Sequence, residues 1–88
     1  MNLTCKPYQI PDFRLEQIDG ELLLYHPQQT TIMYCNPTAS LIWQLCDGER
    51  TVAQIVALLS TAYDQPAERM IDDVTTILEQ FQLHQALE

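Results

Sequence analysis

The chain has 88 residues and a net charge of −8, with twelve acidic and only four basic side chains. A chain of this length forms one domain with a modest core, and its negative field disfavours nucleic acid because it repels phosphate backbones. No apolar run approaches the roughly 20 residues that cross a bilayer, and the three cysteines match no zinc or redox spacing. We therefore expect a soluble, cytoplasmic protein that binds neither nucleic acid nor membrane.

Three strands are predicted in the N-terminal half of the chain. Residues 13–18 alternate apolar and polar side chains, which is typical of a strand with one buried face. Asp19-Gly20 is a hairpin turn signal because glycine readily adopts a positive φ. The more uniformly apolar run 21–26 is expected to be the central strand. Residues 30–35, rich in β-branched and aromatic side chains, predict a third strand and hence a small antiparallel meander.

Three helices follow, and capping residues mark where the first two begin. Asn36 is placed to cap the first helix, Pro37 suits its first position, and Gly48 supplies the left-handed residue that ends it. Thr51 and Gln54 have the spacing of a capping box for the second helix. The predicted helices span residues 37–46, 52–63 and 66–84.

Apolar side chains at helical spacing predict a buried stripe on each helix. The expected core positions are Ala39, Ile42, Trp43 and Cys46 in the first helix, Val52, Ile55, Val56, Leu58, Leu59 and Ala62 in the second, and Met70, Val74, Ile77 and Phe81 in the third. On the third helix, Ile71 and Leu78 widen the stripe on one flank, next to Thr75 and Gln82.

Strands followed by three helices, two of them joined by a tight turn, predict an α+β domain of winged-helix-like fold. Its expected architecture is a three-stranded antiparallel sheet followed by three helices. Residues 1–12 contain two prolines and no periodicity, which predicts an extended or mobile N-terminal arm. The expected organisation is therefore an arm, 1–12, ahead of a single domain, 13–88.

The polar residues do not form a recognisable catalytic or metal-binding motif. Asp72 and Asp73 are adjacent on a predicted helix and point about 100° apart, so they cannot hold a metal or a proton as a compact pair. His26 and His84 are expected to have structural roles, and no basic residue adjoins Cys35 to activate its thiol. We expect no catalytic residue, no metal and no cofactor. An enzyme whose site the sequence conceals is the weaker alternative.

A helix-turn-helix pair inside a winged fold is also a common DNA-reading arrangement. The charges argue against that function here. The predicted third helix has one basic residue, Arg69, among Glu68, Asp72, Asp73 and Glu79, and the second helix has none. Specific DNA binders draw much of their affinity from several phosphate-neutralising lysines or arginines.

The third predicted strand offers an unprotected sheet edge. It contains no charged residue and no proline, the features that usually protect an edge strand, and an extended peptide can add to such an edge as a further strand. One flank of the third helix would form the second wall of the groove. The alternative is that the N-terminal arm covers this strand, or that the strand pairs only within the core. The predicted peptide-binding residues are Thr30, Thr31, Ile32, Met33, Tyr34 and Cys35 on the strand, and Ile71, Thr75, Leu78 and Gln82 on the helix.

Three segments also carry a family resemblance. The strands Glu21–Pro27 and Thr31–Cys35 are followed by the run Asn36–Thr51, with its Asn-x-Thr-Ala and Asp-Gly-x-Arg-Thr elements. Together they resemble the pyrroloquinoline-quinone biosynthesis protein D family, over residues 13–87. The resemblance implies a winged-helix-like fold and a leader-peptide site beside the third strand and third helix. On that helix the family-like positions are Ile71, Val74, Thr75 and Leu78.

The resemblance implies a non-catalytic peptide chaperone. Such a protein binds the leader segment of a ribosomally made precursor peptide by strand addition and presents it to a maturation enzyme. The expected product is a quinone cofactor, a lasso peptide or another modified peptide, and the partner is a radical S-adenosylmethionine enzyme, a leader protease or a cyclase. A small winged-helix regulator or a protein-interaction adaptor is the alternative. The open edge permits a monomer or an edge-paired dimer.

Overall fold

The computed structural model describes residues 2–29 and 32–87. Three antiparallel strands are followed by three helices, which confirms the predicted α+β, winged-helix-like class. No helix in the described part of the chain is long and apolar enough to cross a membrane. The predicted bounds hold to within one residue, except that two residues of the predicted third strand, Thr30 and Thr31, lie outside the described residues. The elements are β1 (Arg14–Ile18), β2 (Glu21–Tyr25), β3 (Ile32–Cys35), α1 (Pro37–Leu45), α2 (Val52–Tyr63) and α3 (Ala67–Leu83).

The sheet is a meander in which β2 lies between β1 and β3. Asp19 and Gly20 join β1 to β2 with positive φ values of 52° and 81°, as a two-residue type I′ turn requires. On the inner face, Leu24 of β2 pairs with Leu15 on one side and with Met33 on the other. The Leu24 side chain is 1% exposed, so this face of the sheet packs on the core.

Side-chain caps fix the starts of α1 and α2, as the sequence predicts. Asn36 Oδ1 accepts a hydrogen bond from the Ala39 N–H at 2.8 Å. Thr51 and Gln54 form a complete capping box, in which the Gln54 N–H donates to Thr51 Oγ1 at 3.1 Å and the Thr51 N–H donates to Gln54 Oε1 at 2.8 Å. These contacts satisfy backbone donors that have no partner within the helix.

The core lies between the inner face of the sheet and the three helices. The predicted stripes of α1 and α3 are buried, although Ile77 is only half-buried. The prediction for Leu58 is wrong, since its side chain is 46% exposed, and Ala62 is exposed as well. At about 100° per residue Leu58 lies about 60° beyond Ile55, at the edge of the arc that packs against the core. The most deeply buried large side chains are Phe81, Leu24, Ile42, Ile55, Leu59, Leu78, Val52, Val74 and Cys46.

The N-terminal arm docks on the start of α2 and makes a turn there, in which the Cys5 N–H bonds to the Asn2 carbonyl at 3.1 Å. The carbonyl of Cys5 accepts a hydrogen bond from the Val52 N–H at 2.8 Å, and that of Leu3 accepts one from the Ala53 N–H at 3.0 Å. These donors belong to the first turn of α2, where no carbonyl of the helix itself can reach them. The arm therefore completes the start of α2.

Farther along, the arm crosses the turn between α1 and α2 and reaches the C-terminal segment. Gly48 has the predicted positive φ, 80°, but its N–H bonds to the Pro7 carbonyl at 2.9 Å and does not close α1. The Gln9 side chain donates to the Trp43 carbonyl at 2.7 Å, and the Ile10 N–H donates to Ala86 at 2.9 Å. The described arm residues, 2–12, are thus structurally continuous with the rest of the domain.

Candidate functional site

The turn between β1 and β2 determines which backbone groups of the sheet face outward. In a two-residue β-turn the first and fourth residues, here Ile18 and Glu21, are hydrogen-bonded to each other. Because bonded and non-bonded pairs alternate along antiparallel strands, Leu23 and Tyr25 also direct their N–H and C=O groups toward β1. Leu22, between Glu21 and Leu23, therefore directs its backbone groups toward β3, as does Leu24 by the same alternation.

The same alternation can be followed onto β3. Leu22 pairs with Cys35 and Leu24 pairs with Met33, so Met33 and Cys35 direct their N–H and C=O groups toward β2. The N–H and C=O groups of Ile32 and Tyr34 consequently point away from the sheet. They are two donors and two acceptors in a row on the open side of β3.

This side of β3 is uncovered in the described part of the chain. No backbone hydrogen bond joins it to another segment, and the docked arm bonds to α2, the α1–α2 turn and the C-terminal segment instead. The described strand, Ile32–Cys35, has no charged residue and no proline that would protect the edge. The edge is therefore available for pairing.

The side chains of β3 divide between the two faces of the sheet. Ile32 and Tyr34 lie on the outer face and are 53% and 71% exposed. Met33 is half-buried and Cys35 is 7% exposed, and both contribute to the core. Burial raises the pKa of the Cys35 thiol, so this cysteine is a packing residue and only its backbone lies near the edge.

The outer face is apolar beside β3 and polar beside β1. Leu23 of β2 pairs with Tyr34 on one side and with Glu16 on the other. A hydrogen bond to the Glu16 carboxylate raises the pKa of the Tyr25 phenol. A chain that added to β3 would therefore meet apolar side chains on this face of the sheet.

The predicted helix wall is placed differently from the expectation. Val74 and Leu78 are 0% exposed, so their side chains belong to the core and cannot contact a bound peptide in this structure. Ile71 lines a groove between α3, α2 and the arm, on the α2 side of the helix. Thr75 bonds to the Ile71 carbonyl at 2.7 Å, and Gln82 is exposed.

The opposite flank of α3 has one half-buried apolar residue, Ile77, which packs against the core. Ile77 is six positions after Ile71, so the two side chains point about 120° apart and lie on either side of the buried stripe. α2 lies on the flank of Ile71, and α1 also packs on α3, where the Trp43 and Phe81 ring centroids are 5.4 Å apart. Sequence periodicity did not show which flank would face α2, because an apolar residue lies on each.

A cleft of about 630 Å³ lies at the far end of the open edge, where β3 leads into α1. It was not predicted from the sequence, because it is assembled from the β1–β2 turn, the end of β3 and the start of α1. Tyr34 contributes to both the edge and the cleft. The lining residues are Gln17, Gly20, Glu21, Leu22, Tyr34, Cys35, Asn36 and Pro37.

In the described part of the chain, no three His, Cys, Asp or Glu side chains are placed so that they could hold a metal ion. His26 packs edge-to-face against Phe13 at 5.3 Å, and His84 Nδ1 lies 2.8 Å from the Gln80 carbonyl. Burial raises the pKa of the Cys46 thiol to about 12, which keeps it protonated and unreactive.

Comparisons with known proteins agree with this architecture. A curated relative, the PqqA binding protein of Rhizobium meliloti (strain 1021), is 29% identical over 73 residues, covering 83% of this chain and 72% of the relative. A solution NMR structure of the PqqD truncation of Methylobacterium extorquens PqqCD superposes with a TM-score of 0.76 at 24% identity, covering 93% of this chain and 87% of that chain. That protein is described as a functional, stand-alone recognition element for ribosomally synthesised and post-translationally modified peptides.

The sequence model of the family described as coenzyme PQQ synthesis protein D, PqqD, matches residues 21–86. This match begins at β2 and continues beyond the end of α3, so it includes the open strand and all three helices. Because it covers most of the chain, the protein belongs to the PqqD family.

Proposed function

We propose that this protein binds the leader segment of a ribosomally made precursor peptide by strand addition at the open edge of β3, and that it acts as a non-catalytic carrier. The observation that carries the proposal is the row of outward backbone groups at Ile32 and Tyr34. Family membership supports it, as do two similar proteins: one is a PqqA binding protein and the other a peptide recognition element.

The alternation of side chains along β3 supports one mode of peptide binding. If the peptide adds antiparallel to β3, each residue paired with Ile32 or Tyr34 has its side chain on the outer face, next to those two exposed side chains. The intervening peptide residues face inward, beside Met33 and the α3 flank that carries Ile77. A leader with alternating apolar side chains therefore fits the edge. Backbone bonds provide affinity and the side chains select the sequence.

We assign the second wall of this groove to the Ile77 flank of α3. Ile71 and Thr75 stay candidates only for contacts on the α2 side of that helix. Val74, Leu78 and Cys35 support the groove from the core. Thr30 and Thr31 would extend the same edge, but they lie outside the described residues.

The same proposal identifies the class of enzyme that would receive the peptide and the possible oligomeric states. The carrier would present its peptide to a maturation enzyme, such as a radical S-adenosylmethionine enzyme, a leader protease or a cyclase, in the cytoplasm. In the absence of peptide, two copies can pair through the β3 edge, so the protein is a monomer or an edge-paired dimer. Peptide and second copy would then compete for one edge.

Replacing Tyr34 with proline tests the proposed mode of binding. The substitution removes one outward N–H, while the bonds from Met33 and Cys35 to β2 are kept, and proline is tolerated on the open side of an edge strand. Proline at Met33 is unsuitable, because the Met33 N–H points toward Leu24 and its loss would break the sheet. Tyr34→Ala is the matched control, since it removes the side chain and keeps the N–H.

The probe is a synthetic peptide with the leader sequence of the short peptide encoded beside this chain's gene, titrated by calorimetry and followed by backbone amide NMR. We expect Tyr34→Pro to weaken binding by about tenfold more than Tyr34→Ala does, the effect of roughly one lost hydrogen bond. The largest shifts of the native protein should lie on Ile32–Cys35. Equal effects of the two variants, or shifts elsewhere, would contradict strand addition. No binding by the folded native protein would favour an adaptor.

A further inference from the structure

A small apolar groove lies on the α2 side of α3, away from the peptide-binding edge. Its volume is about 190 Å³. Val56 is 4% exposed and forms its floor, while alanines of α2 and α3 keep its walls low. The lining residues are Leu3, Ala53, Val56, Ala57, Ala67 and Ile71, all of them apolar.

The docked arm builds one wall of this groove. The 3.0 Å bond from the Ala53 N–H to the Leu3 carbonyl holds Leu3 over the first turn of α2. Leu3 is nevertheless 41% exposed, so its side chain borders the groove without filling it. The groove is thus preformed by three separate segments, which lowers the cost of ordering it when a ligand binds.

The apolar surface continues along α2. Ala57 also lines a shallower recess together with Arg50, Gln54 and Leu58, and Leu58 is 46% exposed. No charged side chain occurs anywhere in α2, Val52–Tyr63. An uncharged helix that exposes large apolar groups next to a preformed groove is typical of a surface that another protein covers.

The charges around the groove indicate the sign of the charge that a partner's surface would carry. Glu68 lies three positions before Ile71 and is its neighbour on the surface of α3, and Asp72 lies four positions after Glu68 on the same side. Both carboxylates are exposed. The nearby cation Arg50 is already paired with Asp47 at 2.6 Å. The α3 side of the rim is therefore acidic, on a chain whose net charge is −8.

We propose that this groove is a docking site for a partner protein that presents an apolar side chain from a basic surface, such as the face of a basic amphipathic helix. The apolar group would enter between Leu3, Ala57 and Ile71, and basic groups beside it would face Glu68 and Asp72. A second copy of this chain fits less well, since a symmetric pair would bring two acidic rims together. The groove lies on the other flank of α3 from the proposed peptide site, so peptide and partner can bind at once.

The test uses the full chain and a synthetic amphipathic helical peptide with leucines on one face and lysines on both flanks. Ala57→Glu places a larger, charged side chain in the groove, and Ala62→Glu is the matched control at another exposed position of α2. Glu68→Gln removes a rim charge, and Asp73→Asn is its control, about 140° away around α3. Tryptophan fluorescence of Trp43 confirms that each variant is folded.

We expect Ala57→Glu to weaken binding by at least about tenfold and Ala62→Glu by less than about twofold. Glu68→Gln should weaken binding by about twofold to fivefold, and Asp73→Asn should have a smaller effect. A probe with alanines in place of the leucines should not bind. The proposal would be overturned if the probe bound equally well without its leucines, or if Ala57→Glu and Ala62→Glu weakened binding equally. Either result would indicate non-specific attraction between charges. Dimerisation of the native chain that Ala57→Glu abolishes would overturn it in favour of a second copy.

Discussion

Replacing Gly48 with alanine tests whether the docked arm stabilises the domain. Gly48 has a φ of +80°, and a Cβ at this position would lie 2.6 Å from Tyr8 Cδ2, so the aromatic ring of the arm must move. Gly20 provides a matched control, because its φ is +81° and a Cβ there would meet no atom within 4 Å. Both substitutions carry the same backbone strain. Only the one at Gly48 adds a collision with the arm.

The expected loss in the free energy of unfolding follows from the backbone strain and the collision. Alanine at a positive φ costs roughly 1–2 kcal/mol in either variant, partly offset because alanine restricts the unfolded chain. The collision at Gly48 adds about 1–3 kcal/mol, the usual cost of overpacking. We therefore expect the free energy of unfolding of Gly48→Ala to fall by about 1–3 kcal/mol more than that of Gly20→Ala. For a domain of this size that is a large fraction of the total stability.

Urea unfolding followed by Trp43 fluorescence measures both variants, because this is the only tryptophan of the chain and its side chain is 4% exposed. Amide hydrogen exchange gives a second readout. The Val52 and Ala53 N–H groups, which bond to the arm, should exchange faster in Gly48→Ala than in Gly20→Ala. Equal stability of the two variants, to within about 0.5 kcal/mol, would refute the stabilising role of the arm.

Three further predictions concern the core and the α1–α2 turn. In the native protein at neutral pH only the exposed Cys5 should react with a thiol reagent, because Cys35 and Cys46 are buried and burial raises the pKa of the Cys46 thiol to about 12. Mass spectrometry should therefore find a single label. A labelled Cys46 would contradict the structure. Hydrogen bonds from backbone N–H groups lower the pKa of Asp47, so its ionised form stabilises the fold above about pH 4 and this contribution is lost as the pH falls further. Asp47→Asn should therefore flatten the acid limb of stability against pH in urea titrations, and an unchanged limb would argue against these bonds. Leu78→Ala should lower the free energy of unfolding by about 2–5 kcal/mol, because Leu78 is 0% exposed. Leu83→Ala should change it by less than about 0.5 kcal/mol, because Leu83 is 80% exposed. Similar urea midpoints for the two variants would contradict the burial of Leu78.

The strand half of the candidate site could be predicted from the sequence, whereas the helix half could not. A charge-free third strand followed by predicted helices indicates an open edge, and the structure shows that the described arm residues bond elsewhere. The period of α3 correctly placed Val74 and Phe81 inward. It did not show that Leu78 is fully buried, or that α2 takes the side of Ile71. Ile71 and Ile77 each place an apolar side chain on one flank of α3, and only the packing of the other helices shows which flank faces α2.

Some features of this protein depend on neighbouring residues in the sequence, and others depend on contacts between distant segments. The caps at Asn36 and Thr51 and the turn at Asp19-Gly20 could be predicted from the sequence, because each depends on groups within four residues of one another. The strands and helices could be predicted from the local pattern of apolar side chains. The folded structure was needed to show that the arm completes the start of α2 and that Ile71 faces α2. The arm and α2 are about 50 residues apart in the sequence, and Ile71 and α2 belong to separate helices, so these segments meet only when the core closes.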